Sequence, residues 1–240
     1  LFNLNWHSSF FWDGGVNHIE VQPLAPITNP VEMDETIANV VAKLQSDEGY
    51  RTMFKDAFGT EEVNSQRVFK ALAQFMGMLV SDNARYDKYV RNETGGSLSQ
   101  QELSGLAVFK VKCASCHTEP LFSDFSLRNN GLPLVNNTSN IIDLGRGIIE
   151  PFDSLSYYKF KVPSLRNLKY TAPYMHDGRF TTIDQVLNHY SSGVQQTPNL
   201  DPSLMFGIVL SSQEKEDIKA FLNTLNDEEF VKDVRFQEPR

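Results

Sequence analysis

Apolar residues recur at helical spacing in several stretches of the chain, and polar segments rich in Asn, Gly and Pro separate them. One such stretch runs from Asp34 to Leu44, and another follows Ser65, a residue type that commonly caps the start of a helix. Both patterns predict amphipathic helices. Their apolar positions are Ile37, Val40, Val41 and Leu44 in the first, and Val68, Phe69, Leu72, Phe75, Met76 and Leu79 in the second.

The sequence TGGS at residues 94–97 interrupts the helical pattern and predicts a boundary between two domains, residues 1–98 and 99–240. Just after it, Ser99 and Glu102 have the spacing of a capping box, in which each side chain accepts a hydrogen bond from the backbone N–H of the other residue. The second domain is therefore predicted to begin with a capped helix.

The rest of the second domain is predicted to contain one long irregular stretch and two further helices. Residues 127–158 hold many Asn, Gly, Pro and Ser without a sustained period, which predicts mostly loop. Thr181 or Thr182 can cap a short helix whose inward face ends at Tyr190, and the capping-box spacing recurs at Ser211 before a last helix. Because strand patterns are sparse, the predicted fold class is mainly α.

Composition narrows the classes of partner that the chain can have. The 240 residues include 30 Asp and Glu against 22 Lys and Arg, and this acidic balance argues against a nucleic-acid partner and fits a basic protein partner. No run of 18 apolar residues occurs, so no transmembrane segment is expected. Both cysteines lie in one five-residue stretch, so a disulfide framework does not explain them.

That stretch, Cys113-Ala-Ser-Cys116-His117, is typical of covalent attachment of a c-type haem. Two thiols one helical turn apart can form thioethers with the vinyl groups of one porphyrin, while the adjacent imidazole binds the iron. A thioredoxin-like redox pair would need a strand before the motif, but here a helix precedes it. A zinc site would need further Cys or His at matching spacing, and the pattern therefore favours haem c.

The order of capped helix, CxxCH motif, long loop and terminal helix is similar to that of a small cytochrome c domain. Residues 10–33 (FFWDGG…VQPLAPITNPVEM) and 159–190 (KFKVPSLRNLKYTAPYMHDGRFTTIDQVLNHY) further resemble the bacterial dihaem cytochrome c peroxidase family, which includes the MauG-type enzymes. The resemblance implies two packed cytochrome c-like domains, with a peroxidatic haem in the first and an electron-transfer haem in the second. Residues 1–98 would be the later part of the first domain, whose haem motif is expected upstream of Leu1; a single-haem variant of the family is the alternative.

The resemblance assigns roles to three residues of the first domain. Trp12 matches a tryptophan that lies between the two haems and serves electron transfer, although a buried core tryptophan is the simpler interpretation of the residue alone. Gln22 and Glu32 match residues around the peroxide side of the first haem. Glu32 would be the acid–base group that moves a proton between the peroxide oxygens. From composition alone, Glu32 would be a solvated carboxylate.

In the second domain the resemblance concerns the second axial ligand of the iron. Typical members carry methionine at the position of Tyr190, and the MauG branch carries tyrosine there. A phenolate ligand favours ferric iron and lowers the reduction potential, whereas a thioether raises it. A core tyrosine bonded to the backbone and Met175 as the ligand are the alternatives. His176 is expected to stabilise its turn, and His189, one position off the inward face, is expected to be exposed.

The remaining predicted contacts also rest on the resemblance. Arg166 matches an arginine that pairs with a haem propionate, a charge-assisted contact, with a surface arginine as the alternative. Thr171 and Pro173 match positions whose carbonyl oxygens bind calcium between the domains, and hard oxygen ligands suit that ion. A further asparagine ligand for calcium is expected upstream of Leu1.

Together these features imply a haem oxidoreductase that takes electrons from a small c-type cytochrome or a similar donor and reduces hydrogen peroxide. A periplasmic location is expected, because bacteria attach haem c covalently outside the cytoplasm; whether the protein forms a homodimer is left open. One alternative is a MauG-like oxidase acting on a partner protein, which Tyr190 favours. The other is an electron carrier without turnover, against which Trp12, Gln22 and Glu32 argue.

Overall fold

The computed structural model describes residues 1–134 and 142–237, so part of the predicted loop at 127–158 lies outside the described residues. The chain divides into two compact units, unit 1 (Leu1–Phe10 and Val16–Val80) and unit 2 (Phe11–Gly15 and Ser81–Arg240). Unit 2 includes residues 81–98, whereas the sequence predicted that they belong to the first domain. The reason is that Tyr86 and Asp87 are buried among residues of unit 2.

Unit 1 is built from short helices with polar caps. Thr36, Asp47 and Asn64 each accept a backbone N–H at a helix start, as expected of N-cap residues. The two helices predicted from periodicity are confirmed, but Asn64 rather than Ser65 is the cap of the second. The helices of unit 1 are α1 (Leu24–Thr28), α2 (Ile37–Ser46), α3 (Glu48–Phe58) and α4 (Ser65–Met78), and a 3-10 turn at Leu4–Trp6 precedes them.

Unit 2 is also largely helical, which confirms the predicted mainly α class. The capping boxes predicted at Ser99 and Ser211 both form, with Glu102 and Glu214 as their reciprocal partners. The sheet among the described residues consists of two antiparallel strands of two residues each. The elements are α5 (Arg85–Val90), α6 (Gln100–Lys112), β1 (Leu127–Arg128), β2 (Phe160–Lys161), α7 (Ile183–Asn188), a π turn (His189–Gly193), α8 (Ser212–Asn223) and α9 (Glu228–Val231).

The core of unit 2 lies where α6 and α8 pack against each other. Phe109 of α6 and Phe221 of α8 are fully buried, and their ring centroids lie 5.1 Å apart. Phe122, which follows the CxxCH motif, is equally buried and packs on both rings. Aromatic pairs at such distances contribute beyond the area that they bury. The cluster therefore joins the helix before the motif to the terminal helix.

The two helices approach closely at Gly105. A Cβ atom at this position would lie 1.9 Å from the carbonyl oxygen of Asp217, which belongs to the backbone of α8. Since backbone cannot move aside as a flexible side chain can, only glycine allows this separation of the helices. No described helix is both long and apolar enough to cross a membrane.

Gly105→Ala should destabilise the protein by about 3 kcal/mol, because the added methyl group forces α6 and α8 apart. Gly49→Ala in α3 is the matched control. Its Cβ would meet one side-chain atom, the capping Oδ1 of Asp47, at 3.1 Å rather than backbone, and alanine favours a helix over glycine, so we expect a much smaller loss of stability than at Gly105. Thermal or urea unfolding of the two variants measures the difference. Equal stability of both variants would contradict the close approach.

Candidate haem site

The CxxCH motif begins where α6 ends. Cys113 is the C-cap residue of α6 and its N–H donates to Phe109 O at 2.8 Å. The chain then turns, and the N–H groups of Cys116 and His117 both donate to the Cys113 carbonyl, at 3.2 and 3.0 Å. This turn brings the two thiols and the imidazole of the motif together. Neither cysteine forms a disulfide, and both are partly buried.

Burial makes both thiols weakly acidic. It raises the pKa of Cys113 to about 11 and also raises the pKa of Cys116. A redox-active or metal-binding cysteine pair instead relies on a lowered pKa, because the thiolate is the reactive form. The environment of the thiols therefore argues against the thioredoxin-like interpretation of the motif.

The imidazole of His117 is oriented by the backbone of a core residue. Its Nδ1 lies 3.0 Å from the carbonyl oxygen of Phe122, and since a carbonyl only accepts, Nδ1 carries the proton. The other ring nitrogen, Nε2, then keeps its lone pair for a metal. Burial lowers the pKa of His117, which favours the neutral imidazole needed for ligation.

Tyr190 lies beside this motif. Its phenol interacts electrostatically with the thiols of both Cys113 and Cys116 and receives a hydrogen bond from the side chain of Asn130. Burial raises the pKa of Tyr190, the hydrogen bond from Asn130 acts in the opposite direction, and the two thiols raise the pKa further. Tyr190 therefore lies near the two thiols of the motif, and its role as a ligand of the haem iron stays a prediction.

The π turn His189–Gly193 explains a wrong expectation about His189. Residue spacing on a regular α-helix predicts an exposed imidazole, but His189 is buried and its Nε2 lies 2.9 Å from the carbonyl oxygen of Asn130. The π turn begins at His189 and departs from the regular α-helical spacing on which the expectation was based. Such turns are frequent at functional sites.

Met175 lies in the turn between Tyr174 and Phe180, at a backbone φ of 71°. Its sulfur accepts a hydrogen bond from Asn130 Nδ2 at 3.7 Å. Both candidate ligands thus meet the same amide. The neighbouring His176 stacks on Phe160 with ring centroids 3.6 Å apart, as expected for a residue that stabilises its turn.

A cluster of charges lies next to Cys116. Arg128 on β1 forms ion pairs at 2.7 Å with Asp124 and with Asp201, and its charge also acts on the Cys116 thiol. Periodicity gave no sign of this cluster, because Arg128 and Asp201 are far apart in sequence and both lie outside helices. The cluster holds the segment after the motif against the loop at 195–204.

Arg166 is buried and forms a bidentate ion pair with Asp87, with N–O distances of 2.7 and 2.8 Å. Its remaining hydrogen bonds go to the carbonyl oxygen of Pro120, at 2.7 and 3.0 Å. The surface-arginine alternative is wrong, since only 3% of the residue is exposed. The predicted contact with a haem propionate stays a prediction, and the ion pair gives Arg166 a structural role of its own.

Trp12 lies in a short segment of unit 2 near β2. Its carbonyl oxygen accepts the Lys161 N–H at 2.7 Å, and 40% of the residue is exposed. Trp12 is therefore not a core tryptophan. Burial lowers the pKa of the Lys161 ammonium to about 8. The electron-transfer role of Trp12 stays a prediction.

Gln22 and Glu32 lie in unit 1, on either side of α1. Gln22 is buried, whereas Glu32 is exposed and accepts a hydrogen bond from Asn29 at 2.8 Å. The exposure of Glu32 agrees with a solvated carboxylate and leaves it accessible to a proton donor. The acid–base role of Glu32 stays a prediction.

Thr171 and Pro173 are exposed and follow a 3-10 turn at Leu168–Tyr170. Across the described ranges, no group of three or more His, Cys, Asp or Glu could hold a metal ion. A calcium site here would depend on carbonyl oxygens, as the sequence predicts, and stays a prediction.

The donor set at the motif fits a c-type haem. Two thiols can anchor the porphyrin, His117 Nε2 can bind the iron, and Tyr190 provides an oxygen donor close to the thiols. Sequence analysis identified these residues but missed Asn130. Asn130 could not be found from hydrophobic periodicity, because it lies in the irregular segment after the motif.

The sequence profile described as "Di-haem cytochrome c peroxidase" matches residues 1–95. The chain is 37% identical to the methylamine utilization protein MauG of Methylophilus methylotrophus, over 94% of this chain and 66% of that protein. It is 31% identical to the cytochrome-c peroxidase IdrP2 of Denitromonas iodatirespirans, over 95% and 67%. The chain thus spans about two thirds of the length of these relatives.

Two solved structures are similar in fold. A MauG-like protein associated with microbial copper homeostasis superposes with a TM-score of 0.88 at 28% identity, over 99% of this chain and 77% of that chain. The diheme peroxidase BthA from Burkholderia thailandensis superposes with a TM-score of 0.73 at 20% identity, over 97% and 70%. The second likeness concerns the fold alone.

Asp87→Asn should destabilise the protein by about 3 kcal/mol, because it leaves the buried Arg166 guanidinium without its countercharge. Glu93→Gln, which alters the exposed pair with Arg91, is the control and should change stability little. Urea unfolding of the holoprotein measures both. A loss of stability as small as that of the control would show that the buried pair does not hold unit 2 together.

Proposed function

The chain belongs to the di-haem cytochrome c peroxidase family, which includes MauG, and on that basis we propose that it forms the electron-transfer part of an enzyme that reduces hydrogen peroxide to water. The observation that carries the proposal is the convergence of Cys113, Cys116, His117 and Tyr190 on one site. A simple electron carrier would need this site but not Trp12, Gln22 or Glu32. The proposal assigns the whole activity to a protein of the length of these relatives, of which this chain spans about two thirds.

The residues of the motif and Tyr190 would have different roles in binding the haem. Cys113 and Cys116 would anchor it, and His117, through Nε2, and Tyr190, through its phenol oxygen, would hold the iron. When bound, the haem supplies reversible one-electron chemistry. The Phe122 carbonyl keeps the proton of His117 on Nδ1, so Nε2 would be the nitrogen that holds the iron.

An exposed apolar surface beside the motif supports electron entry at this site. Val111, Phe206 and Val209 are 82%, 90% and 81% exposed. Lys112 Nζ donates to Val209 O at 2.7 Å, and Ile208 N–H donates to Tyr190 O at 2.7 Å, so this surface adjoins both the motif and Tyr190. Exposed apolar patches mark protein contacts. The proposed partner is a small c-type cytochrome, and the acidic charge of the chain favours a basic one.

The proposed route continues past Trp12 to a second haem carried by residues outside this chain. There, Gln22 and Glu32 would face the peroxide, and Glu32 would take a proton from one peroxide oxygen and deliver it to the other. Calcium held by the carbonyls of Thr171 and Pro173, a periplasmic location and a homodimer belong to the same proposal. Covalent attachment of haem c supports the location.

A MauG-like oxidase that acts on a partner protein is the second candidate. Tyr190 at the ligand position favours it, and so does the 37% identity to MauG, against 31% to the peroxidase IdrP2. A phenolate ligand lowers the reduction potential of the iron. A low potential suits a haem that stays ferric between turnovers. Both candidates use the same site and differ in the electron donor.

The full-length holoprotein should consume hydrogen peroxide with a reduced c-type cytochrome as donor, and Glu32→Gln should lower kcat about 100-fold, the usual contribution of an acid–base group. Oxidation of the cytochrome followed by absorbance measures the rate. Glu61→Gln changes an exposed carboxylate of unit 1 that pairs with Lys55 and is the matched control.

The control should keep the wild-type rate. Peroxide consumption with a protein donor but not with a cytochrome would favour the oxidase. No turnover with any donor would overturn both candidates and leave an electron carrier.

Tyr190→Phe should abolish the phenolate-to-iron charge-transfer band of the ferric holoprotein, whereas Met175→Leu should retain it, because Met175 is bonded to Asn130 instead. Absorption and resonance Raman spectra of both variants test this assignment. A near-infrared methionine–iron band in the wild-type protein, lost in Met175→Leu, would assign the ligand to Met175.

A further inference from the structure

Tyr86 lies in the core of unit 2, yet its hydroxyl group has a carboxylate as its partner. Only 3% of the residue is exposed, and its OH donates to Glu119 Oε2 at 2.7 Å. The other oxygen of Glu119 forms an ion pair with Lys110 at 4.0 Å. A backbone carbonyl would also satisfy the hydroxyl of a core tyrosine, but a carboxylate can in addition take its proton. This phenol is therefore hydrogen-bonded to a base.

Tyr86 is connected to the proposed haem site through Phe122. The two rings meet edge to face with centroids 5.5 Å apart, and the carbonyl oxygen of Phe122 lies 3.0 Å from His117 Nδ1. Phe122 and Tyr86 are both buried, so packed atoms join them. Since His117 is the proposed iron ligand, a continuous series of contacts leads from that ligand to the phenol of Tyr86.

Tyr89 continues this series to the surface. It lies three residues after Tyr86 on α5, a spacing that places both side chains on one face of the helix, and the two ring centroids are 6.1 Å apart. Tyr89 is 38% exposed, whereas Tyr86 is buried. The buried phenol thus has packed contacts both toward His117 and to a second phenol that solvent reaches.

The carboxylate of Glu119 makes Tyr86 easier to oxidise. A phenol that loses an electron becomes a strong acid and must also lose its proton. Burial and the hydrogen bond to Glu119 raise the pKa of Tyr86, so the phenol is protonated at neutral pH. Glu119 Oε2, already at hydrogen-bond distance, can accept that proton without any movement of the side chain.

We propose that Tyr86 and Tyr89 form an oxidisable pair that carries oxidising equivalents from the haem site of unit 2 to the surface, where a small one-electron donor such as a phenol is oxidised. Glu119 is the proton acceptor of Tyr86 in this route. The inference rests on the proposed reaction with hydrogen peroxide, which leaves the haem site short of an electron.

The transfer balances in three steps. One electron passes from Tyr86 to the oxidised haem site, and the phenol proton moves to Glu119 Oε2. Tyr89 then gives an electron to Tyr86, whose oxygen recovers the proton from Glu119, while the proton of Tyr89 goes to water. Finally the external phenol gives an electron to Tyr89 and a proton to water, and Tyr89 takes up a proton from water. Both tyrosines and Glu119 thereby return to their initial state.

The full-length holoprotein, mixed with equimolar hydrogen peroxide without a donor, should form a tyrosyl radical, and a nitroso spin trap should label Tyr89. Tyr86→Phe removes the hydroxyl at nearly unchanged volume and should abolish the label. Glu119→Gln keeps an acceptor for the hydrogen bond but is no base, so it should slow radical formation about 100-fold, the usual contribution of a positioned proton acceptor. Freeze-quench electron paramagnetic resonance and mass spectrometry measure radical and label, and added phenol should remove the radical.

Tyr157→Phe is the matched control. The ring centroid of Tyr157 lies 6.2 Å from that of Tyr158, but its OH donates to a backbone carbonyl, Pro151 O, at 2.8 Å. Because that acceptor cannot take a proton, the control should keep the radical and the label at the wild-type level.

The absorption spectrum of the haem, recorded in the same experiment, separates the two ways in which the inference can fail. A spectrum that responds to peroxide while Tyr89 stays unlabelled, or a label that survives Tyr86→Phe, would overturn the tyrosine route alone. Radical formation at the wild-type rate in Glu119→Gln would overturn the role of Glu119. A spectrum that peroxide leaves unchanged would overturn the proposed reaction and the route with it.

Discussion

The hydrogen bond between His117 Nδ1 and the Phe122 carbonyl connects the chemistry of the site to the hydrophobic core. The ring of Phe122 is fully buried among Phe109 and Phe221, so its backbone has little freedom to move. The carbonyl oxygen therefore defines both the protonation of the imidazole and the direction of its free nitrogen. Cys113 depends on the same core, because it ends the helix that carries Phe109.

Buried polar contacts hold the rest of unit 2 around that core. Arg166 pairs with Asp87, which ties α5 to the segment after β2. Near the C-terminal end of α8, Asn167 donates to Ser81 Oγ at 2.8 Å, and its Oδ1 accepts the Asp227 N–H at 2.7 Å. Polar groups buried in this way are stable only when each is satisfied. Segments far apart in the sequence are thereby fixed in one arrangement.

The sequence was sufficient for the parts of the fold that local patterns determine. The capping boxes at Ser99 and Ser211 and the helices after them could be predicted because cap and periodicity lie within a few residues of each other. The proposed haem-binding residues Cys113, Cys116 and His117 come from one motif. Tyr190 could be singled out only by resemblance and helical spacing together.

The features that were not predicted involve residues far apart in the sequence or segments of irregular backbone. The Asp87–Arg166 pair joins residues 79 positions apart, and Asn130 meets His189 from a loop without periodicity. The π turn made the expectation for His189 wrong, because an added residue in the repeat leaves no mark on the hydrophobic pattern. Helix α3 was missed, although Asp47 caps it.

The backbone contact of α6 and α8 at Gly105 has a consequence for electron transfer itself. At Gly105 the backbones of the two helices meet without a side chain between them, and the tightly packed core around this point leaves little room for movement. In the proposed haem protein, the frame that carries Cys113 and His117 would then change its geometry little when the iron gains or loses an electron. A small reorganisation energy follows from that stiffness, and it lets an electron pass with little thermal activation.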